Sequence, residues 1–273
     1  MKKYILLFAL ISSAAVLSAQ KQSMEPVDYV DPLMGTSSPQ WTLFPGASTP
    51  SGMVKISPDN QLAGWKAGYD YNIESIAGFC HIHSRTMGGL LVMPVTGRLN
   101  IFRGSPEDPD SGYRSRFSHR NEKAQPGYYS VILDDYNIKA ELTSTTRAAF
   151  QKYTYPESDT ARLLIDLKIP TSHGYEITGA GIRKVSSTEI AGFSIQQSLM
   201  GAEANRYTIH FVIRLSKPFK SFNGWIGDRI LRNAEEINLS YEDKGIGVFL
   251  DFSTKDGERS EERRVGKECS LPC

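Results

Sequence analysis

From about Tyr128 onward, apolar and polar residues alternate with a period of two. Ile138, Ala140 and Leu142 interleave with Lys139, Glu141 and Thr143, and the run from Tyr207 to Leu215 repeats the pattern. A period of two sends successive side chains to opposite faces, which is the mark of a strand with one face buried. The same reasoning predicts strands at Tyr129–Leu133, Ala148–Tyr153, Arg162–Asp166, Gly181–Val185, Glu189–Ile195 and Gly245–Phe252. The spacers Asp134-Asp135, Pro156-Glu157-Ser158-Asp159, Ser172-His173-Gly174 and Asn223-Gly224 carry turn chemistry. No long stretch has helical spacing. The chain therefore reads as all-β, an antiparallel β-sandwich of short strands rather than a barrel.

Both ends differ from this body. Met1 to Ala19 has a short cationic start (Lys2, Lys3), an apolar stretch from Tyr4 to Val16 and small residues at Ser18 and Ala19, the plan of a signal peptide cleaved near Ala19. No later run is long enough to span a bilayer, so the mature protein is expected to be periplasmic or secreted, with no membrane partner after cleavage. At the other end, Glu258 to Lys267 holds Val265 as its single apolar residue, and Arg259 to Cys269 resembles a translated DNA sequencing adaptor read through in frame. On that resemblance, residues 259–273 form a non-native tail and the native protein continues past about Glu258. The domain itself is expected over 27–256, truncated at its C-terminal end.

With Cys269 and Cys273 in the suspect tail, Cys80 is left without an internal disulfide partner and reads as a small buried filler. The charge balance is near neutral, 31 Lys and Arg against 30 Asp and Glu. Without a basic patch the chain lacks the electrostatic footprint that phosphate binding requires, which excludes nucleic acid as a partner.

The segment from Val27 to Gly97 is rich in Gly, Pro, Ser and aromatics and reads as long connecting loops, with Trp41, Phe44, Trp65, Tyr69 and Tyr71 clustered in it. Aromatic faces beside polar groups suit a pyranose ring, which offers an apolar face and a rim of hydroxyls. Composition alone favours core packing over this use of the same aromatics.

An ordered series of short motifs gives this segment a further meaning. It runs Val27-Asp28-Tyr29-Val30-Asp31-Pro32-Leu33-Met34-Gly35-Thr36, Phe44-Pro45-Gly46-Ala47, Gly52-Met53-Val54-Lys55-Ile56-Ser57-Pro58-Asp59, Gly68-Tyr69-Asp70-Tyr71, Ile76-Ala77-Gly78-Phe79-Cys80-His81-Ile82-His83, Pro126-Gly127-Tyr128-Tyr129 and Ala140-Glu141-Leu142-Thr143. Lys217-Pro218-Phe219 and Trp225 extend it. The series resembles the N-terminal domain of glycoside hydrolase family 92, exo-acting calcium-dependent α-mannosidases that invert the anomeric configuration.

The resemblance implies an enzyme with a C-terminal catalytic (α/α)6 barrel that is missing from this chain. The general acid, the general base and most of the calcium shell would belong to that barrel, so no catalytic residue and no metal ligand is assigned here, and calcium is expected only in the full-length parent. Inversion needs two carboxyl groups roughly 6.5–9.5 Å apart, and no acid pair here stands out in that role. The fragment would be inactive alone, its partners a terminal α-mannoside glycan and the absent barrel.

The same resemblance places Gly35, Thr36, Phe44, Pro45 and Gly46 in a groove-lining loop, or in a turn at the domain interface. Trp65 and Asp70 are plausible sugar contacts, though Asp70 could equally cap a turn. His81 and His83, two apart, should share one strand face; two imidazoles are too few for zinc, and His119, His173 and His210 offer no third at sensible spacing. His83 is instead expected to donate a hydrogen bond near the sugar. Ser84-Arg85-Thr86-Met87-Gly88-Gly89 departs from the family's patterns, and Arg85 brings a charged fork that should alter subsite preference. The alternative function is a non-catalytic carbohydrate-binding sandwich.

Overall fold

The computed structural model describes residues 24–37, 43–60, 68–83, 87–168, 175–198, 206–240 and 245–254, together with the backbone of 261–270. The expected signal peptide, Trp41, Trp65 and Arg85 lie outside the described residues. Residues up to Val30 form a compact unit of their own. In it Pro26–Tyr29 make a 3-10 turn, with the Glu25 backbone N–H donating to Asp28 Oδ2 at 2.8 Å.

The second unit, Asp31–Cys273, is built from strands. In chain order they are β1 (Ala47–Ser48), β2 (Lys55–Asp59), β3 (Ser75–Ile76), β4 (Gly78–His83), β5 (Met87–Val95), β6 (Ser115–Arg116), β7 (Lys123–Gln125), β8 (Tyr128–Leu133), β9 (Ile138–Ser144) and β10 (Ala148–Thr154). There follow β11 (Ala161–Asp166), β12 (Tyr175–Lys184), β13 (Glu189–Ser198), β14 (Arg206–Leu215), β15 (Ser221–Ile226), β16 (Arg229–Leu231), β17 (Glu236–Ser240), β18 (Ile246–Phe252) and β19 (Glu261–Ser270). An eight-stranded sheet runs β1-β2-β4-β5-β11-β18-β15-β16, a nine-stranded sheet runs β17-β12-β13-β14-β19-β10-β9-β8-β7, and β3 and β6 make a small ribbon. The fold is an antiparallel β-sandwich, as the alternation predicts.

Burial follows that alternation closely. In β9, Ile138, Ala140 and Leu142 are buried while Lys139 and Thr143 are exposed, and in β14 Ile209, Phe211, Ile213 and Leu215 point inward between exposed His210 and Arg214. The two sheets meet through these inner faces. Phe79 of β4 lies 6.0 Å from Tyr153 of β10 between ring centroids. Beside them Gln151 Nε2 donates to His81 Nε2 at 2.8 Å, and the Tyr153 hydroxyl donates to Gln151 Oε1. Each large apolar side chain taken from water contributes about 1.5–3 kcal/mol, and Trp225, Tyr129, Phe249 and Ile56 are among those fully covered.

Three sequence expectations are corrected. The Val27–Gly97 segment is not mainly connecting loop, because β1, β2, β4 and β5 within it form half of the eight-stranded sheet. Their residues are buried on both faces (Leu90, Leu91, Val92 and Met93 in succession), so no alternation marks them. The strand expected at Gly181 starts at Tyr175. Asn223-Gly224 is no turn but the middle of β15, where Asn223 is 2% exposed and donates to Ser221 Oγ and Asp251 Oδ2, both at 2.8 Å. Glycine suits position 224 because a Cβ there would come within 2.8 Å of the Gly247 carbonyl and press into Ile237.

The backbone of β19 lies between β10 and β14, position 265 facing Ala149 on one side and Ile213 on the other. Part of the stretch set apart in the sequence as foreign therefore takes a strand position within the nine-stranded sheet. No helix among the described residues is long and apolar enough to cross a membrane.

The buried phenols give the fold an alkaline limit. Burial, more than any neighbouring charge, raises Tyr113 and Tyr129 well above the tyrosine value of 10.0, raises Tyr69 as well, and pushes Tyr136 up to about 12. A phenol that stays protonated in the folded state but ionises in the unfolded state stabilises the fold fully below pH 10 and loses that contribution as pH rises. Each such group removes up to about 1.4 kcal/mol per pH unit. Denaturant midpoints should therefore be flat from pH 8 to 9.5 and fall steeply between pH 10 and 12, and a flat profile through pH 11 would refute it.

Candidate functional site

The polar groups that sequence reasoning selects collect around the β1-β2-β4 side of the eight-stranded sheet. Asp31–Gly35 makes a turn, with the Leu33 N–H donating to Asp31 Oδ1 at 2.9 Å and Gly35 taking a φ of 76° that favours glycine. Thr36 is fully buried, its hydroxyl donating to the Leu33 carbonyl at 2.7 Å and its own carbonyl accepting from Tyr71 N at 3.2 Å. Gly46 admits β2 at close range, since a Cβ there would strike the Ile56 carbonyl and Ser57. That approach carries the buried Pro45 and half-buried Phe44 over β4, where the Phe44 ring sits 5.1 Å from the His83 ring.

Asp70 is 7% exposed. Its Oδ1 accepts from the Asn72 backbone N–H at 3.0 Å and from Asn72 Nδ2 at 3.1 Å, the turn-capping arrangement that was the second sequence reading. The Asn60 side chain braces this turn by accepting from Asp70 N at 2.7 Å and donating to the Asp70 and Ile73 carbonyls at 2.8 and 2.9 Å. Arg114 locks Asn60 in turn, donating to its carbonyl at 2.7 Å; burial pushes this guanidinium down to about 10, with Glu107 opposing.

The aromatics divide. Tyr69 is core, its hydroxyl donating to Glu122 Oε1 at 2.8 Å. Tyr71 is 37% exposed and stacks on His119 with 3.9 Å between centroids. His119 Nδ1 meets Glu122 Oε2 at 2.6 Å, and its Nε2 donates to the Tyr71 carbonyl at 2.9 Å.

His81 and His83 do not share a face. A register irregularity between Cys80 and Ile82 interrupts the alternation, as bulges do. His81 reaches across the sandwich to Gln151. His83, with no exposed side-chain surface, turns to β2, where Nδ1 donates to the Lys55 carbonyl at 2.7 Å and Nε2 faces Asp59 Oδ1 at 2.9 Å. The same irregularity brings Cys80 Sγ to 3.5 Å from His83 Nε2. Cys80 is fully buried, as its sequence context suggests. The Asp59 and Glu122 partnerships escaped sequence reasoning; Asp59 stood inside a quoted motif, but nothing in the spacing joins it to His83.

Asp59, Cys80 and His83 offer ligand atoms within 4.8 Å of one another, the one such group of His, Cys, Asp or Glu among the described residues. Calcium takes six to eight oxygen ligands. A thiol, an imidazole and one carboxylate do not fit it. Elsewhere, a cavity of about 680 Å³ lies over the nine-stranded sheet, lined by Arg147, Arg183, Phe193, His210, Arg214 and Asn238 among others, and takes in none of the sequence-selected residues.

Fold and site define an antiparallel β-sandwich domain in which loops at one side of a sheet present the polar and aromatic groups. The glycosyl hydrolase family 92 N-terminal domain matches residues 29–266, and the chain belongs to that family. It is similar to the family GH92 α-mannosidase BT3965 from Bacteroides thetaiotaomicron, 30% identical with a TM-score of 0.80 over 92% of this chain and 34% of that one. A structure of that protein in complex with mannoimidazole matches with a TM-score of 0.78 over 90% of this chain and 32% of that one. The inverting mannosidase BT2199 of the same bacterium, 24% identical with a TM-score of 0.72 over 92% and 33%, shares the fold. An uncharacterized secreted glycosidase of Arthroderma benhamiae is 31% identical over 140 residues, 48% of this chain and 17% of its own length. The chain thus spans about a third of the solved relatives and less of the fungal one.

Proposed function

We propose that this chain is the substrate-side domain of an exported inverting α-mannosidase that hydrolyses terminal α-mannosides, and that it is inactive alone. The observation that carries the reading is the match to BT3965, which covers 92% of this chain but 34% of that enzyme. The general acid, general base and calcium shell then belong to a helical barrel encoded beyond this domain. The loops at Gly35-Thr36 and Phe44-Pro45-Gly46, with Trp65, Asp70 and Arg85, form the groove wall contributed from this side, and His83 supports it from beneath Phe44 rather than lining it. Residues 1–19 direct export to the periplasm or the exterior, and 259–273 come from adaptor sequence. A sheet slot accepts a foreign strand because pairing uses the backbone, which every sequence supplies.

Long-read sequencing across the codons for Glu258 to Cys273, followed by assay of the whole product on α-mannosides, tests the reading. An open frame continuing into a helical domain, mannose release by the whole product and none by the chain alone are expected. A confirmed stop would overturn the adaptor origin, and glycan binding without hydrolysis by a chain that stops there would replace the enzyme with a binding module.

Within the whole product, Phe44→Ala should lower kcat/KM on α-mannosides about tenfold, equivalent to about 1.4 kcal/mol of lost transition-state contact. Steady-state kinetics check this. An unchanged kcat/KM would remove Phe44 from the groove.

A further inference from the structure

We propose that Asp59, Cys80 and His83 form a site for zinc or a similar borderline divalent metal, separate from any calcium centre. The first support is the tautomer of His83. A backbone carbonyl can only accept, so Nδ1 at 2.7 Å from the Lys55 oxygen carries a proton. This leaves Nε2 as the nitrogen aimed at Asp59 and Cys80. A ring fixed by a backbone carbonyl on one nitrogen and turned toward ligands on the other is how metal-bound histidines are held.

Geometry is the second support. With zinc to sulfur at about 2.3 Å and zinc to nitrogen at about 2.0–2.1 Å, a tetrahedral centre places the two donors about 3.5 Å apart. Cys80 Sγ and His83 Nε2 are 3.5 Å apart. The third support is a buried orphan. Asp59 Oδ2 has no hydrogen-bond partner and no exposed surface, an arrangement that costs free energy unless something binds the oxygen.

Charge also balances in the bound state. A divalent ion would meet one thiolate, one neutral imidazole and one carboxylate, a set with no net charge, so the site would bury no uncompensated charge. The donor set of sulfur, nitrogen and a single oxygen selects zinc or cobalt over calcium or magnesium. Three protein ligands leave the fourth position to water or an incoming group, the pattern of an open zinc centre.

The test uses the whole chain carrying Cys269→Ser and Cys273→Ser, which leaves Cys80 as its one thiol. Titration with cobalt should give one ion per chain, a near-ultraviolet thiolate-to-cobalt charge-transfer band and the intense visible bands of four-coordination. Cys80→Ser should abolish the charge-transfer band, and Asp59→Asn should weaken zinc at least tenfold by calorimetry. Zinc-edge X-ray absorption on the protein with Cys80 intact supplies a readout that needs no folded variant, and should show one sulfur at about 2.3 Å. Binding with only nitrogen and oxygen scatterers, no saturable binding, or cobalt spectra indifferent to Cys80→Ser would overturn the proposal.

Discussion

Asp166→Ala is expected to destabilise the sandwich by about 3–5 kcal/mol, the cost of leaving a buried charge without its partner. Asp166 ends β11, and its carboxylate receives the Arg103 guanidinium in a fork, Nε to Oδ2 at 2.7 Å and Nη2 to Oδ1 at 2.9 Å. Oδ2 also accepts from the buried Tyr113 hydroxyl at 2.7 Å, and Oδ1 from the Lys168 backbone N–H at 2.7 Å. Burial is the strongest single influence on Arg103 and would lower its pKa, yet the Asp166 charge, the Tyr113 hydroxyl and the hydrogen bonds to both together raise the guanidinium above its ordinary value. Removing the carboxylate therefore strands a cation, a phenol and an amide together. Arg103→Met should cost less, because Asp166 keeps two donors, the Tyr113 hydroxyl and the Lys168 N–H, and methionine replaces the apolar stem of Arg103. Urea unfolding of the three proteins decides it; equal midpoints for Asp166→Ala and the parent would show that the network contributes nothing.

Glu122→Ala should have a comparable effect, about 3–5 kcal/mol, by a different route. The Glu122 carboxylate has no exposed side-chain surface, and its Oε1 accepts from two phenols, Tyr69 at 2.8 Å and Tyr129 at 2.6 Å. Each buried donor left without an acceptor costs about 1–3 kcal/mol, and the His119 contact is lost as well. Glu122→Gln keeps an acceptor oxygen for both phenols and should recover more than half of the loss. If Gln were as damaging as Ala, the charge rather than the acceptor would be what the tyrosines need. His119→Ala in either background would separate the imidazole's share, since neighbours in one network do not add.

These two acids illustrate where sequence reading stops. β9 and β14 were legible because a sandwich strand with one wet face writes its burial into alternate positions. β4 and β5 were not, because both faces are covered and the pattern vanishes. Asn223-Gly224 carries turn chemistry but serves inside β15, where a glycine suits the close Gly247 carbonyl and a buried amide serves Asp251. The motif series located the loops, and the structure brings Phe44 onto His83 and ties Thr36 to Tyr71. The Asp59, Cys80 and His83 grouping depends on a register irregularity that no spacing rule encodes. Glu122 joins Tyr69 across 53 positions, a distance at which residue type alone says nothing about contact.

The strand order of the eight-stranded sheet also governs how the domain can be made. β5 finds its outer neighbour only in β11, and β11 is closed on its far side by β18. A ribosome delivers the chain from its N-terminus, so β2, β4 and β5 emerge long before the strand that covers them. Until residues 161–166 arrive, the apolar run of β5 waits with an open edge, and the sheet is sealed only when residues 246–252 follow. Assembly governed by such distant pairings is slow. The nascent polypeptide consequently passes through an interval in which an unpaired apolar edge is open to aggregation.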